Sequence, residues 1–166
     1  MYKIRHTTEE DIPRCMELYD AARGIMRASG NMNQWTNGYP SVEVLKEDIR
    51  LGNSYVVVDE GVCVGIFACI MGEDPTYRVI EGGEWRCPEV RYATIHRLGS
   101  TPESHGVARC VFDYARGLAP SLRADTHKDN RIMQRILEGY GFRYCGIIYL
   151  KNGDKRRAYQ YLMRQY

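Results

Sequence analysis

No hydrophobic stretch in the sequence approaches the ~20 consecutive apolar residues that a membrane-spanning helix needs. No apolar segment follows the first basic residues, so the pattern of a secretory signal peptide is missing and we expect a cytoplasmic protein. An excess of charge of one sign is also missing, since 23 Lys and Arg oppose 21 Asp and Glu. This near balance, without a basic stripe, argues against nucleic-acid binding. We therefore expect neither a membrane nor a nucleic acid as a partner.

Cysteine is present, but it does not occur in pairs. The six cysteines are far apart, none belongs to a C-x-x-C, and most lie in apolar runs. Free buried thiols are therefore expected in place of disulfides, and we expect no metal. The aromatic residues are mostly tyrosine, with 13 Tyr against 3 Phe and 2 Trp, which indicates many rings that pack while their hydroxyls stay wet.

The length of 166 residues, with 44% hydrophobic and 27% charged residues, suits one globular domain with a proper core. Apolar alternation predicts strands, and apolar residues three and four positions apart predict helices. The expected strands are 2–6, 55–59, 62–71, 91–100, 122–127, 142–150 and 157–162. Helices are expected after Thr8, after Ser41, at 106–118 and at 130–139. This order predicts an α/β (α+β) fold in a single domain over 1–166, with a twisted mixed sheet flanked by helices.

The segment 95–109 contains a strand, a short turn and a helix that begins with small residues. Such a helix start directs free N–H groups and the positive end of the helix dipole at one spot, which suits an anion such as a pyrophosphate. A side chain at Gly106, or a large one at Ala108, would block the approach of a phosphate to the backbone. An ordinary capped joint explains the same pattern, so a second signal is needed.

The second signal is a later segment at a fixed distance from the first. Residues 103–108 read ESHGVA after a strand, and residues 130–142 read NRIMQRILEGYGF. The two segments resemble, in order and spacing, the Gln/Arg-x-x-Gly-x-Gly/Ala and Asn-x-x-Ala-x-x-Leu-Tyr-Glu-Lys-x-Gly-Phe segments of the GNAT family of acetyl-CoA-dependent N-acyltransferases. The resemblance covers nearly the whole chain.

The resemblance implies a GNAT-like N-acetyltransferase domain with acetyl-CoA as cosubstrate. The strands at 91–100 and 122–127 are expected to run parallel and to separate at Ser100, where a thioester would enter. A backbone N–H at the end of the first of these strands would polarise the thioester carbonyl. The residues that the resemblance assigns to the cofactor are Leu98, Gly99, Ser100, Glu103, Ser104, His105, Gly106, Val107, Ala108 and Asn130.

The sequence departs from the family at two functional positions. Glu103 stands where the family has Gln or Arg, which places a negative charge near a negative ligand. Leu137 stands where many members have a Tyr that protonates the leaving thiolate of CoA. Tyr140 lies about one helical turn further on and is a candidate acid in its place, although packing beside Phe142 explains it better.

Transfer to an amine needs a base, because a lysine-type amine with a pKa near ~10.4 is mostly protonated at neutral pH. His96 is the first candidate, since strand alternation places it on the face of Leu98 and Ser100. The resemblance to the serotonin acetyltransferase branch implies a proton-relaying histidine at this position, while a histidine bonded to a backbone carbonyl explains it equally. Asp125 is a second candidate, which would orient a histidine or receive the ammonium group of the substrate, or would only cap a helix.

Two long polar loops, 30–40 and 74–88, hold both tryptophans and occupy the positions that flank the acceptor groove in the family. Aromatic rings beside carboxylates suit a cationic amine, and rings that only fasten the loops to the core explain the pattern equally. The candidate substrate-binding residues are Trp35, Tyr39, Tyr77 and Trp85. The expected partner is a small-molecule or peptide amine, and the sequence leaves a homodimer open.

The sequence thus predicts an acyltransferase that moves an acetyl group, not an amino-acyl group, from acetyl-CoA directly to a primary amine. Direct transfer is expected because no pair of nucleophile and base is evident, and Cys110 falls in the apolar stripe of its helix. The alternative is a non-catalytic acyl-CoA-binding or ligand-sensing module with the same fold, which Glu103 and Leu137 favour. A nucleotide-binding protein unrelated to CoA fits poorly, because G-x-G-x-x-G and G-x-x-x-x-G-K-[ST] are absent.

Overall fold

A computed structural model describes residues 1–163, which form a seven-stranded sheet covered by four helices. The strands are β1 (Tyr2–His6), β2 (Ser54–Asp59), β3 (Val62–Met71), β4 (Tyr92–Ser100), β5 (Ser121–Thr126), β6 (Arg143–Tyr149) and β7 (Lys155–Leu162). The helices are α1 (Ile12–Ala28), α2 (Val42–Arg50), α3 (Val107–Ala115) and α4 (Arg131–Tyr140), with short 3-10 turns at Glu9–Asp11 and Pro75–Tyr77. No helix within residues 1–163 is long and apolar enough to span a bilayer.

The strand order is β1-β2-β3-β4-β5-β7-β6, and β4 and β5 are the parallel pair. All other neighbouring strands in this sheet run antiparallel. The mixed sheet and the parallel pair predicted from the strand–helix–strand order are therefore confirmed.

Side-chain caps explain where two of the four helices begin. The hydroxyl of Ser41 accepts the N–H of Val44 at 3.2 Å at the start of α2. The amide oxygen of Asn130 accepts the N–H of Met133 at 3.0 Å at the start of α4. Each cap satisfies a backbone donor that the first turn of a helix leaves free, so these boundaries could be read from local sequence.

The core consists of three clusters of buried side chains. One lies between the sheet and α3 and α4, and it includes Val111 and Leu137. A second lies between the opposite face of the sheet and α1 and α2, and it includes Leu18 and Leu45. The third fastens the loop 74–88 to β6 and β7. The helices therefore cover both faces of the sheet.

The parallel pairing of β4 and β5 is short. Residues 92–94 of β4 pair with residues 121–123 of β5, and the two strands separate beyond Thr94. The predicted separation exists, but its predicted position at Ser100 was wrong. A bulge in β4 gives the reason, because a bulge bends its strand and increases the local twist.

The bulge is centred on Arg97, whose φ is 53°. His96 pairs with Ala68 and Gly99 pairs with Ile66, so β4 has one residue more than β3 across this interval. Ile95 and Leu98 are three positions apart, yet both pack against the cluster beneath α3. His96 therefore faces away from Leu98, and the predicted common face of His96, Leu98 and Ser100 was wrong because the extra residue interrupts the alternation.

Candidate active site

A cavity of about 670 Å³, here called the central cavity, opens where β4 and β5 separate. Phe112 and Met133 line it from α3 and α4, and Trp35 and Tyr39 line it from the loop that precedes α2. The turn between β6 and β7 closes another side. The cavity thus reaches both faces of the sheet, and its size suits a small ligand.

His96 lies in the wall of the central cavity between two carboxylates. Its Nε2 is 3.1 Å from Oδ2 of Asp74, and its Nδ1 is 3.9 Å from Oδ2 of Asp125. The hydroxyl of Tyr77 donates to the same oxygen of Asp125 at 2.7 Å. The structure therefore brings together two of the three acid–base candidates, His96 and Asp125, and adds two residues that had no catalytic role in the sequence analysis.

Asp74 is the residue of this site that sequence reasoning missed. It precedes Pro75, and its carboxylate accepts the N–H of Thr76 at 2.9 Å as the cap of the 3-10 turn. An Asp-Pro pair at the start of a loop predicts such a cap, but it carries no information about a histidine on another element.

Hydrogen bonding keeps Asp74 ionised. Burial acts to raise the pKa of Asp74, but hydrogen bonds from His96 and Thr76 outweigh it and lower the pKa to about 2. Since Asp74 is a carboxylate at neutral pH, the Nε2 atom of His96 is the donor in their contact. The Nδ1 atom of neutral His96 then carries the lone pair and can accept a proton.

The phenol of Tyr77 is a hydrogen-bond donor to the carboxylate of Asp125. Burial, together with the charge of Asp125, raises the pKa of Tyr77 well above its ordinary value. The phenol therefore stays protonated and donates its hydrogen bond to Asp125 at every pH of interest.

The start of α3 is open to solvent. Gly106 caps the helix with a φ of 76°, and a Cβ placed on it would meet no atom of the described residues within 4 Å. Glu103 and His105 are exposed in the preceding turn, where the hydroxyl of Tyr2 donates to the carbonyl of His105 at 2.6 Å. The sequence-predicted anion site is thus accessible, with free first-turn N–H groups.

Asn130 lines the central cavity, but its amide already has protein partners. Its oxygen caps α4, and its nitrogen donates to Oε1 of Gln34 at 3.1 Å. Gln34 comes from the loop 30–40 and was not singled out in the sequence. The contact joins the start of α4 to this loop across the cavity.

Tyr140 lies outside the lining of the central cavity, whereas Leu137 is part of it. The hydroxyl of Tyr140 donates to Asp113 at 2.7 Å, and its ring packs against Phe112 and Phe142. Burial and the bond to Asp113 raise the pKa of Tyr140 to about 12. These contacts agree with a packing role.

The four candidate substrate-binding aromatics separate into two pairs. Trp35 and Tyr39 line the central cavity. Tyr77 and Trp85 are buried in the third core cluster and lie outside that lining. Trp85 donates its ring N–H to the carbonyl of Tyr77 at 2.8 Å, so these two rings fasten the loop 74–88.

Arginines of α1 and β4 fix the loop 30–40, which the sequence did not predict. Arg27 donates to three carbonyls of the loop at 2.8 to 3.0 Å. Arg97 forms a two-pronged ion pair with Asp48 of α2 at 2.7 and 2.8 Å, and it also donates to the hydroxyl of Tyr39 at 3.0 Å. The bulge of β4, α2 and the cavity wall are thereby held together.

Known proteins with a similar fold include acetyltransferases. The chain is similar to an acetyltransferase of the GNAT family from Streptococcus agalactiae 2603, with 31% identity, a TM-score of 0.90, and coverage of 98% of this chain and 96% of that chain. The ribosomal-protein-alanine N-acetyltransferase from Brucella melitensis shares the fold at 20% identity and a TM-score of 0.63, over 97% and 99% of the two chains.

A chain of the NatC complex bound to Gag peptide and CoA also shares the fold, at 17% identity and a TM-score of 0.63, over 98% of each chain. No protein-family model and no curated protein matches the sequence. The similarity to the streptococcal protein extends to sequence as well as fold, along nearly the full length of both chains.

Proposed function

The chain belongs to the GNAT family of acetyltransferases, and from this premise we propose that it transfers an acetyl group from acetyl-CoA directly to a primary amine. One observation supports the proposal most: His96 lies between Asp74 and Asp125 in the cavity where β4 and β5 separate. A histidine so placed is a suitable general base, which typically contributes ~10²–10⁴-fold to a rate.

The residues at the start of α3 fit the pyrophosphate of the cosubstrate. Gly106 offers open space where a Cβ would stand, and Val107 and Ala108 follow with the free N–H groups of a first helical turn. Leu98 and Ser100 of β4 would lie alongside the acetyl end. Acetyl-CoA supplies the activated acetyl group when it is bound.

The proton of the acceptor amine has a direct route. Asp125, whose carboxylate is only partly exposed, attracts the ammonium form of the acceptor to the cavity. The Nδ1 atom of His96 takes the proton, and Asp74 stabilises the imidazolium through Nε2. A thiol pKa near ~8.5 makes the CoA thiolate a tolerable leaving group at neutral pH, so no dedicated acid is required.

Five of the six cysteines have a raised pKa, which favours transfer without an acyl-enzyme. Burial raises the pKa of Cys15 to about 12 and that of Cys69 to about 11, and it also raises the pKa of Cys110. A thiol is a weak nucleophile when it stays protonated. We expect mass spectrometry of protein incubated with acetyl-CoA alone to show no stoichiometric acetyl adduct, and a stable adduct on a cysteine would contradict direct transfer.

A panel of primary amines with acetyl-CoA tests the proposal, with thiol release as the readout. Since the relatives include a ribosomal-protein-alanine N-acetyltransferase and a peptide-bound complex, the panel contains a peptide with an N-terminal alanine as well as small amines. Amine-dependent thiol release supports the enzyme. Binding of acetyl-CoA without turnover of any amine supports the non-catalytic acyl-CoA-binding module, which the buried Leu137 in place of the family's tyrosine favours.

A further inference from the structure

A buried arginine, Arg156 of β7, lies in the wall of the central cavity. Its residue surface is 7% exposed, and it lines both this cavity and an adjoining one of about 520 Å³. Its Nη1 donates to the carbonyl of Lys155 at 2.9 Å. Within residues 1–163, no carboxylate lies within ion-pair distance of its guanidinium, and its Nε and Nη2 donate no hydrogen bond.

Two other shielded arginines have side chains beside them that stabilise the charge, although within residues 1–163 the buried Nε of Arg123 has no hydrogen-bond partner. Arg97, which also lines the cavity, is neutralised by both oxygens of Asp48. Arg123 lies between the rings of Trp85 and Tyr92, with its guanidinium carbon 4.0 and 3.9 Å from the two ring centres. A charge shielded from bulk water is costly unless it is paired. The free Nε and Nη2 donors of Arg156 are not among the fully buried atoms and border the cavity, so they are available to an anion that enters it.

The sheet register places Arg156 close to the acid–base site. Asp125 of β5 pairs with Ala158 of β7, and Arg156 is two positions from Ala158. Side chains two positions apart on a strand share a face, so Asp125 and Arg156 are diagonal neighbours, ~7–8 Å apart at the backbone. The carboxylate of Asp125 and the guanidinium of Arg156 thus flank the same cavity at a distance that a short molecule spans.

We propose that Arg156 binds an anionic group of the acceptor, so that the acceptor is a short amine that also carries a carboxylate or a phosphate. This inference rests on the proposed function, because it assigns the end of the acceptor that does not react. Lys151 adds a positive charge to the same wall. Asp154 also lines the cavity, and its carboxylate accepts from the side-chain amide of Asn152 at 3.1 Å, a neutral group that does not offset a negative charge.

Matched pairs of amines test the anionic group. The pairs are 5-aminopentanoate with pentylamine and 3-aminopropyl phosphate with propylamine, which separate the carboxylate from the phosphate. Calorimetry in the presence of CoA measures binding, and thiol release from acetyl-CoA measures turnover. We expect at least one anionic compound to bind ~10–100-fold more tightly than its neutral partner, as charge-assisted hydrogen bonds of a guanidinium provide.

Three variants assign the preference to Arg156. Arg156→Gln is expected to remove the preference while the affinity for the neutral amines stays unchanged. Arg156→Lys keeps the charge but loses the planar fork, so it should retain part of the preference. Lys3→Gln removes a positive charge from exposed β1, outside the cavity lining, and should retain all of it. Thermal unfolding and CoA affinity, measured for each variant, show whether it folds.

The outcomes separate this inference from the proposed function. Equal binding of charged and neutral partners by the wild type overturns the inference, as does an equal loss of both in Arg156→Gln. If Arg156→Gln does not fold, the wild-type pairs and Arg156→Lys decide. Acetylation without an anionic preference upholds the proposed function alone, and an Arg156-dependent preference in binding without acetylation upholds the inference alone.

Discussion

At the scale of single residues, His96 has the strongest expected effect on activity. His96→Gln removes the base and should lower kcat ~10²–10⁴-fold at pH 7. The loss should shrink at alkaline pH, because an amine with a pKa near ~10.4 then loses its proton unaided. Asp74, with its pKa lowered to about 2, stays ionised throughout and does not titrate in this range. A profile of kcat against pH for the wild type and the variant measures the difference.

Tyr140→Phe is the matched control for this prediction. The hydroxyl of Tyr140 is bonded to Asp113 and lies outside the cavity lining, so its removal should change kcat little at any pH. Near-full activity of His96→Gln at pH 7, together with loss of activity in Tyr140→Phe, would show that both roles are assigned wrongly.

Single residues were predictable from the sequence where the signal was local. His96 and Asp125 could be found because both lie on predicted strands that follow each other in a strand–helix–strand unit. Asp74 could not be found, because it is 22 positions from His96 and reaches it from a loop. Arg156 was missed for a related reason, since its lack of a partner is a property of the packed structure and not of its neighbours in sequence.

At the scale of elements, the ion pair between Arg97 and Asp48 holds the bulge of β4 against α2. Their side chains are 13% and 8% exposed. Asp48→Asn leaves the guanidinium buried without a counter-charge and should cost ~3–5 kcal/mol of the free energy of unfolding. Replacing both, with Asp48→Leu and Arg97→Met, should cost less than Asp48→Asn alone. Urea unfolding of the single and double variants measures the coupling.

The control for this cycle lies on the same helix. Glu47 pairs with Arg50 at 2.6 Å on the exposed side of α2, where solvent screens the charges. Glu47→Gln should leave the unfolding midpoint unchanged. Equal losses for Glu47→Gln and Asp48→Asn would mean that the buried pair has no special role in holding the bulge.

The start of α3 gives a second prediction at this scale. Gly106→Glu places a carboxylate in the open space where the cosubstrate's phosphates are expected. Because like charges repel, the affinity for CoA should fall ~10-fold or more. Gly61→Glu is the matched control, because Gly61 has a similar φ of 80° and equally open surroundings in the β2–β3 turn. Calorimetry with CoA should show loss of binding in the first variant only. Equal binding by both variants would show that the phosphates of CoA do not bind at the start of α3.

The elements themselves followed from sequence more closely than their arrangement. Caps and apolar spacing are local, so each predicted strand and helix is present with ends shifted by a few residues. The bulge at Arg97 is different, because it depends on the register between β3 and β4, which no short segment specifies. That one extra residue changed both the facing of His96 and the place where β4 leaves β5.

At the scale of the whole molecule, two parts of the sheet meet along a short seam. The part from β1 to β4 and the part made of β5, β7 and β6 are joined by the three paired positions of β4 and β5. The parallel pair was predictable from the strand–helix–strand order. The insertion of β7 between β5 and β6 was not, because a hairpin signal does not say which of its strands joins the neighbouring sheet.

This seam yields a prediction for the molecule as a whole. Beyond Thr94 the side of β4 that faces β5 has no strand partner among residues 1–163, although its other side pairs with β3. If acetyl-CoA lies between the strands, CoA should slow hydrogen exchange at residues 95–100 and 124–126. Protection by a bound ligand follows mass action, up to ~100-fold at a concentration of 100 Kd for amides that exchange only from the free state. Exchange in β6, which pairs with β7 away from the seam, should not change.

Hydrogen exchange measured by mass spectrometry with and without CoA tests whether CoA binds between β4 and β5. Protection limited to the start of α3 would show that CoA does not enter the seam, and it would remove Leu98, Gly99 and Ser100 from the binding site.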